Sequence, residues 1–153
     1  MINNIINEQK LKQLKNKVEK AVNLFLAKDK MLLDLKVYEP AVSHRVAVYL
    51  ESLFRGFHID CEYNKYSDLP KTMPDGKKIR IDVLVHKRGA NDNNVLTIEI
   101  KKNKKSKWDE NKLKILTDQK DNFKYKLGVF IYFPNGKPKY KWFINGEEIK
   151  EDA

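Results

Sequence analysis

Three segments of the chain carry apolar residues at helical spacing. The first covers about residues 7–27, where lysines fill the other faces of the predicted helix. A second helix is predicted to begin at Pro40, whose missing N–H has no partner in a first turn, and to end at Gly56. A third is predicted from Trp108 to about Asn122. The seam of the first helix fits packing within its own domain, and it also fits a short coiled coil that would form a homodimer. Its members are Leu11, Leu14, Val18, Ala21 and Phe25.

Five further segments have the composition of β-strands. They cover residues 57–64, 79–86, 95–101, 125–133 and 139–143. A turn-rich stretch separates the first two. The polar loop between the second and third is of hairpin type, so these strands are expected to be antiparallel neighbours. The resulting order, α-α-β-β-β-α-β-β, predicts an α/β domain around a mixed sheet.

The length of 153 residues fits a single domain. The pattern divides it into an N-terminal helical extension (1–30), a core (38–133) and a C-terminal hairpin with its tail (134–153). No apolar run is long enough to cross a membrane. The single cysteine, Cys61, excludes an intramolecular disulfide and is typical of a cytoplasmic protein.

Charged residues interrupt the two central apolar strands. Asp82 lies in one, and Glu99 and Lys101 lie two residues apart, on one face of the other. An acidic residue two positions before a lysine occurs seven times, but only Glu99-Ile100-Lys101 ends an apolar strand beside a second acid. Because unpaired charge is costly to bury, these residues are expected to be paired, bound to metal or catalytic. The structural alternative is a salt bridge from Asp82 to Lys101, with Glu99 solvated.

The residue types suit metal-assisted hydrolysis of a phosphodiester. Asp82 and Glu99 offer the hard oxygen ligands that Mg²⁺ prefers, and Lys101 can position the attacking water and offset charge in the transition state. A basic tract follows directly, with members Lys102, Lys104, Lys105 and Lys107. The net charge of +10 indicates a polyanionic partner such as nucleic acid, although a lysine-rich composition alone would also produce it.

The succession Glu39, Asp82 and Glu99-Ile100-Lys101 resembles the PD-(D/E)xK nuclease superfamily, which includes Holliday-junction resolvases and small phage and bacterial nucleases. The resemblance implies a restriction-endonuclease-like core of helix, three strands, helix and strand. It implies that Glu39, Asp82 and Glu99 bind Mg²⁺ or Mn²⁺, with Asp82, Glu99 and Lys101 catalytic. The family's proline before the aspartate is Ile81 here.

The sequence therefore predicts a Mg²⁺-dependent endonuclease acting on DNA, as a homodimer if both strands of a duplex are cut. One alternative is a non-catalytic nucleic-acid-binding protein on the same fold. Another is a structural partner that dimerises through the first helix.

Several other residues have a functional and a structural interpretation. Lys112 and Gln119, on the third helix, could assist the site, but surface positions on an amphipathic helix are the more ordinary interpretation. Four tyrosines could stack on bases or be half-buried strand residues. They are Tyr63, Tyr66, Tyr125 and Tyr140.

Overall fold

A computed structural model describes residues 6–35, 39–63, 65–66, 69–70, 76, 78–89 and 92–150. Within these residues the chain forms an α/β domain with a six-stranded mixed sheet, four α-helices and a short 3-10 helix at Pro134–Gly136. The helices are α1 (Glu8–Asp29), α2 (Met31–Asp34), α3 (Glu39–Glu51) and α4 (Lys107–Thr117). The strands are β1 (His58–Tyr63), β2 (Lys65–Tyr66), β3 (Leu69–Pro70), β4 (Ile81–His86), β5 (Leu96–Lys101), β6 (Leu127–Tyr132), β7 (Lys139–Ile144) and β8 (Glu147–Ile149).

The large sheet has the strand order β1-β4-β5-β6-β7-β8. β5 and β6 are parallel because α4 connects them, and every other neighbouring pair is antiparallel. The predicted antiparallel pairing of the two central strands, β4 and β5, is confirmed. The pattern missed α2, the small β2–β3 pair and β8, all of which are short.

One face of the sheet is covered by α1 and α3, and the main core lies there. The buried side of α1 comprises Leu14, Val18, Ala21, Val22 and Phe25, each at most 1% exposed. These residues share one cluster with Val46 of α3 and with Val83 and Ile98 of the central strands. The apolar seam of the first helix is therefore packed within its own domain, and α1 is an integral part of the core.

The other face is covered by α4, which packs through Leu113 and Leu116. The helix ends at Thr117, before the predicted end at Asn122, because Asp118 has an extended backbone. The Asp118 carboxylate accepts a hydrogen bond from the Lys120 N–H at 2.9 Å, a local turn that competes with a further helical turn. No helix in the described ranges is long and apolar enough to span a membrane.

Candidate active site

Asp82 and Glu99 come together on neighbouring strands. The register pairs Val83 with Ile98, and its continuation sets Asp82 opposite Glu99. Because Val83 and Ile98 point into the core under α1 and α3, both acids point to the α4 face of the sheet. Asp82 Oδ2 also accepts a hydrogen bond from the Ile100 N–H at 2.9 Å, which ties the acid to the end of β5.

The Glu99 side chain is buried, with 1% of its surface exposed. Burial and repulsion from Asp82 raise the pKa of Glu99 well above its ordinary value, and the opposing attraction of Lys112 does not cancel them. The structural alternative with a solvated Glu99 is therefore wrong. A buried carboxyl group beside a second one forms a site where additional positive charge would be favourable.

Lys112 is a buried partner of Glu99, so its interpretation as a surface residue is wrong. Its Nζ lies 2.7 Å from Glu99 Oε1 in a buried ion pair. The same ammonium donates to the Arg80 carbonyl at 2.9 Å and lies 3.5 Å from Asp109 Oδ1. Burial lowers the pKa of Lys112, but attraction by Glu99, Asp109 and Asp82 outweighs it and leaves the pKa raised.

Lys101 lies between two acids at the end of β5. Its Nζ is 3.8 Å from Glu39 Oε1 and 3.6 Å from Asp109 Oδ2. Glu39 is the first residue of α3, on the opposite layer, and its Oε2 also accepts a hydrogen bond from the Lys102 N–H at 3.3 Å. Glu39 therefore lies near Lys101, and its contacts are with the lysine segment.

Asp109 is a member of the site that the sequence analysis missed. Its side chain is buried, and its Oδ2 has no hydrogen-bond partner among the described residues. The N–H of Asp109 donates to Ser106 Oγ at 3.3 Å, the contact that caps the start of α4. The sequence contains a signal for this burial. Asp109 lies four residues before Leu113 and seven before Leu116, so it is on the inward face of α4.

The donor set can be compared with the needs of a divalent cation. Within the described ranges, no three His, Cys, Asp or Glu side chains are grouped closely enough to hold a metal ion. Glu39, Asp82 and Glu99 therefore do not form one three-ligand cluster. The Asp82–Glu99 pair still fits Mg²⁺, which is commonly held by one or two carboxylates together with waters and substrate phosphates. Around this pair, four carboxyl groups lie near two ammonium groups, so the acids outnumber the bases by two.

A groove of about 590 Å³ opens next to this cluster, with Glu39 and Lys101 in its wall. Most of the basic tract lines it, namely Lys102, Lys104 and Lys105 together with Lys101. The ammonium of Lys102 donates to the Leu35 carbonyl at 2.8 Å, whereas Lys104 and Lys105 are exposed. Lys107 is exposed at the start of α4 and is not among the lining residues. The groove therefore offers exposed positive charge beside Glu39 and Lys101, and Asp82 and Glu99 are not among its lining residues.

The remaining candidates are not brought to the site. Gln119 lies beyond the far end of α4, where its side-chain amide donates to the Thr117 and Tyr125 carbonyls at 3.0 and 3.2 Å. Tyr125 is fully buried and cannot stack on a base, and Tyr140 packs against the main core. Tyr63 lies edge-on to His86 with ring centroids 4.6 Å apart. The side chain of Tyr66 lies outside the described residues.

Comparison of the sequence with protein-family models and with curated proteins finds no match, and no solved structure matches the fold. The function is therefore inferred from the distances, burial and charges of the site.

Proposed function

We propose that this protein is a metal-dependent nuclease that hydrolyses phosphodiester bonds, with DNA as its substrate. The observation that carries the proposal is the Asp82–Glu99 pair, in which Glu99 is buried, together with Lys101, two residues further along β5 and in the wall of a lysine-lined groove. A purely structural ion pair needs one acid for each base. Here the acids outnumber the bases, and the pKa of Glu99 is raised by its burial and by Asp82. A divalent cation bound between the two acids would offset the excess of acidic groups and would lower the pKa of Glu99.

In this proposal Asp82 and Glu99 hold Mg²⁺ or Mn²⁺. When bound there, the cation would supply Lewis acidity toward a phosphoryl oxygen and would lower the pKa of a water molecule. Lys101 positions the attacking water and offsets the negative charge that develops on the phosphoryl oxygens. The Lys101 ammonium is held in place by Glu39 and Asp109, each of which lies within 4 Å of it.

The order of elements supports a restriction-endonuclease-like core. From α3 to β6 the chain runs helix, three strands, helix and strand, if the small β2–β3 pair is set aside. The acids lie on the central antiparallel strands, and α4 crosses from β5 to the parallel strand β6. Ile81, where the family has proline, is fully buried and packs in a core cluster with Leu84, an apolar role that leaves Asp82 in place.

The groove supports a nucleic acid as the substrate. Exposed Lys104 and Lys105 can contact the phosphates on either side of the scissile bond, and each such contact releases counterions. Cutting both strands of a duplex at one site would take two copies of the chain.

The test is cleavage of linear, branched and single-stranded DNA with Mg²⁺ or Mn²⁺. We expect Asp82→Asn and Lys101→Ala to lower the rate by about 10²–10³-fold or more, the range for loss of one group that stabilises a transition state. Asp92→Asn and Lys139→Ala change exposed residues of the same types and should retain wild-type activity. Wild-type rates in both site variants would exclude the proposed mechanism.

A binding-only protein on the same fold is the second candidate. It is favoured by the lack of a three-ligand group among the residues that the structure describes. This candidate predicts salt-sensitive DNA binding that Mn²⁺ does not change, and no cleavage of any DNA substrate.

A further inference from the structure

The Lys112 ammonium lies among three oxygen atoms that belong to three different parts of the fold. They are the Arg80 carbonyl just before β4, Glu99 Oε1 on β5 and Asp109 Oδ1 on α4, at 2.9, 2.7 and 3.5 Å. The Lys112 side chain is only 7% exposed. Lysine is almost never buried to this degree unless it is paired, so these oxygens hold it there.

The surroundings of this ammonium have the chemistry of a hard-cation site. Two carboxylates and a backbone carbonyl are the oxygen ligands that Ca²⁺ and Mg²⁺ take in proteins. When ionised, as they would be around a bound cation, Glu99 and Asp109 carry two negative charges. The Lys112 ammonium offsets one of these charges, and Lys101 lies 3.6 Å from Asp109 Oδ2. Glu99 is shared, because it contacts Lys112 and is also a neighbour of Asp82.

We propose that Lys112 takes the place of a second cation in this acidic cluster and so limits the site to one divalent metal. The ammonium is attached to α4 and cannot dissociate, so it holds Glu99 and Asp109 in position whether or not metal is bound. A metal held by Asp82 and Glu99 would then lie beside a permanent positive charge. This inference rests on the proposed function, because it requires the acid pair to bind a metal.

The number of bound metal ions tests this proposal without any activity measurement. We expect isothermal titration calorimetry, with electron paramagnetic resonance of free Mn²⁺, to find one Mn²⁺ per wild-type chain. Lys112→Ala, which leaves the three oxygens without their cation, should bind two. Lys112→Gln keeps a hydrogen-bond donor but removes the charge, so it should also bind more than one. Lys114→Ala removes an exposed lysine of the same helix and should bind one.

Each outcome decides the question. One Mn²⁺ in both Lys112 variants, or two in the wild type, would overturn the role of Lys112 while leaving the metal site intact. No Mn²⁺ in the wild type would overturn the metal site of the proposed function, and this inference with it. If the Lys112 variants are unfolded without metal, circular dichroism will measure whether added Mn²⁺ refolds them. Refolding supports a metal in place of the ammonium, and a chain that stays unfolded contradicts it.

Discussion

Glu99 is the residue whose charge the fold disfavours most clearly. Its carboxyl group is buried on the α4 face of β5, with Asp82 as a neighbour. Folding raises the pKa of Glu99. Above pH 4.5, the ordinary pKa of Glu, the unfolded chain therefore releases a proton that the native state retains. The free energy of unfolding of the metal-free protein should therefore fall as the pH rises from this value through the folded pKa.

Glu99→Gln should remove this pH dependence and stabilise the metal-free protein at neutral pH, because the neutral amide is not repelled by Asp82. Each kcal/mol gained would raise Tm by about 2–4 °C. The same variant should lose metal-dependent cleavage, since an amide is a poorer ligand than a carboxylate. Urea unfolding in EDTA at several pH values measures the first effect. Glu147→Gln, at an exposed position of β8, serves as the control. A Glu99→Gln variant less stable than wild type at neutral pH would contradict the assigned cause.

At the scale of elements, α4 is held at a defined distance from the sheet by a glycine. A Cβ atom added at Gly128 of β6 would lie 2.9 Å from Thr117 Cγ2, closer than side chains tolerate. The same helix carries Asp109 and Lys112, so the close packing of α4 on the sheet also brings these residues to the Glu99 side of β5.

Gly128→Ala should lower the free energy of unfolding by about 1–3 kcal/mol, the usual penalty for overpacking. Adding Thr117→Ser removes the clashing methyl group and keeps the hydroxyl that donates to the Leu113 carbonyl at 2.8 Å. The double variant should therefore recover part of the loss, which urea midpoints of both single variants and the pair will measure. A single Gly128→Ala variant as stable as wild type would show that α4 can shift freely.

The β5–α4 connection carries the exposed lysines of the groove. Lys104→Gln with Lys105→Gln should weaken DNA binding and reduce the slope of log affinity against log salt by about 1.8, at roughly 0.9 per lost phosphate contact. Fluorescence anisotropy at several salt concentrations measures this slope. The matched control is Lys12→Gln with Lys20→Gln, an equal change of charge at exposed positions of α1. Equal losses in both pairs would indicate attraction by net charge alone.

At the scale of the whole molecule, α1 packs into the main core with α3 and the sheet. Phe25 is fully buried and lies against the ring of Phe133, whose centroid is 5.9 Å away and which also lines the groove. The stability of the core and the shape of the groove wall therefore depend on the same contact.

Phe25→Ala should lower the free energy of unfolding by about 3–5 kcal/mol, because it leaves a cavity in the main core. Met31→Ala removes an apolar side chain that is 68% exposed and should change stability by less than about 0.5 kcal/mol. Urea unfolding compares the two variants. A Phe25→Ala variant that stayed as stable as wild type but changed its mass in light scattering would favour dimerisation through α1 instead.

Much of the framework follows from the sequence, because periodicity reports which side of an element is buried. The apolar repeats of α1 and α3 and the continuous apolar runs of β4, β5 and β6 were all predicted close to their observed positions. Charges inside such runs are conspicuous, and for this reason Asp82, Glu99 and Lys101 could be selected before their neighbours were known.

Tertiary structure alone decided the partners of these charges. An acid and a lysine three residues apart on a helix usually face solvent, so the sequence could not distinguish Asp109 and Lys112 from a solvated pair. Their burial results from the docking of α4 over β5, which depends on contacts between segments distant in the chain. The sequence determined which residues carry charge into the sheet. The packing of α4 and α3 determined which of them meet, because only packing sets the distances and the desolvation on which their pKa values depend.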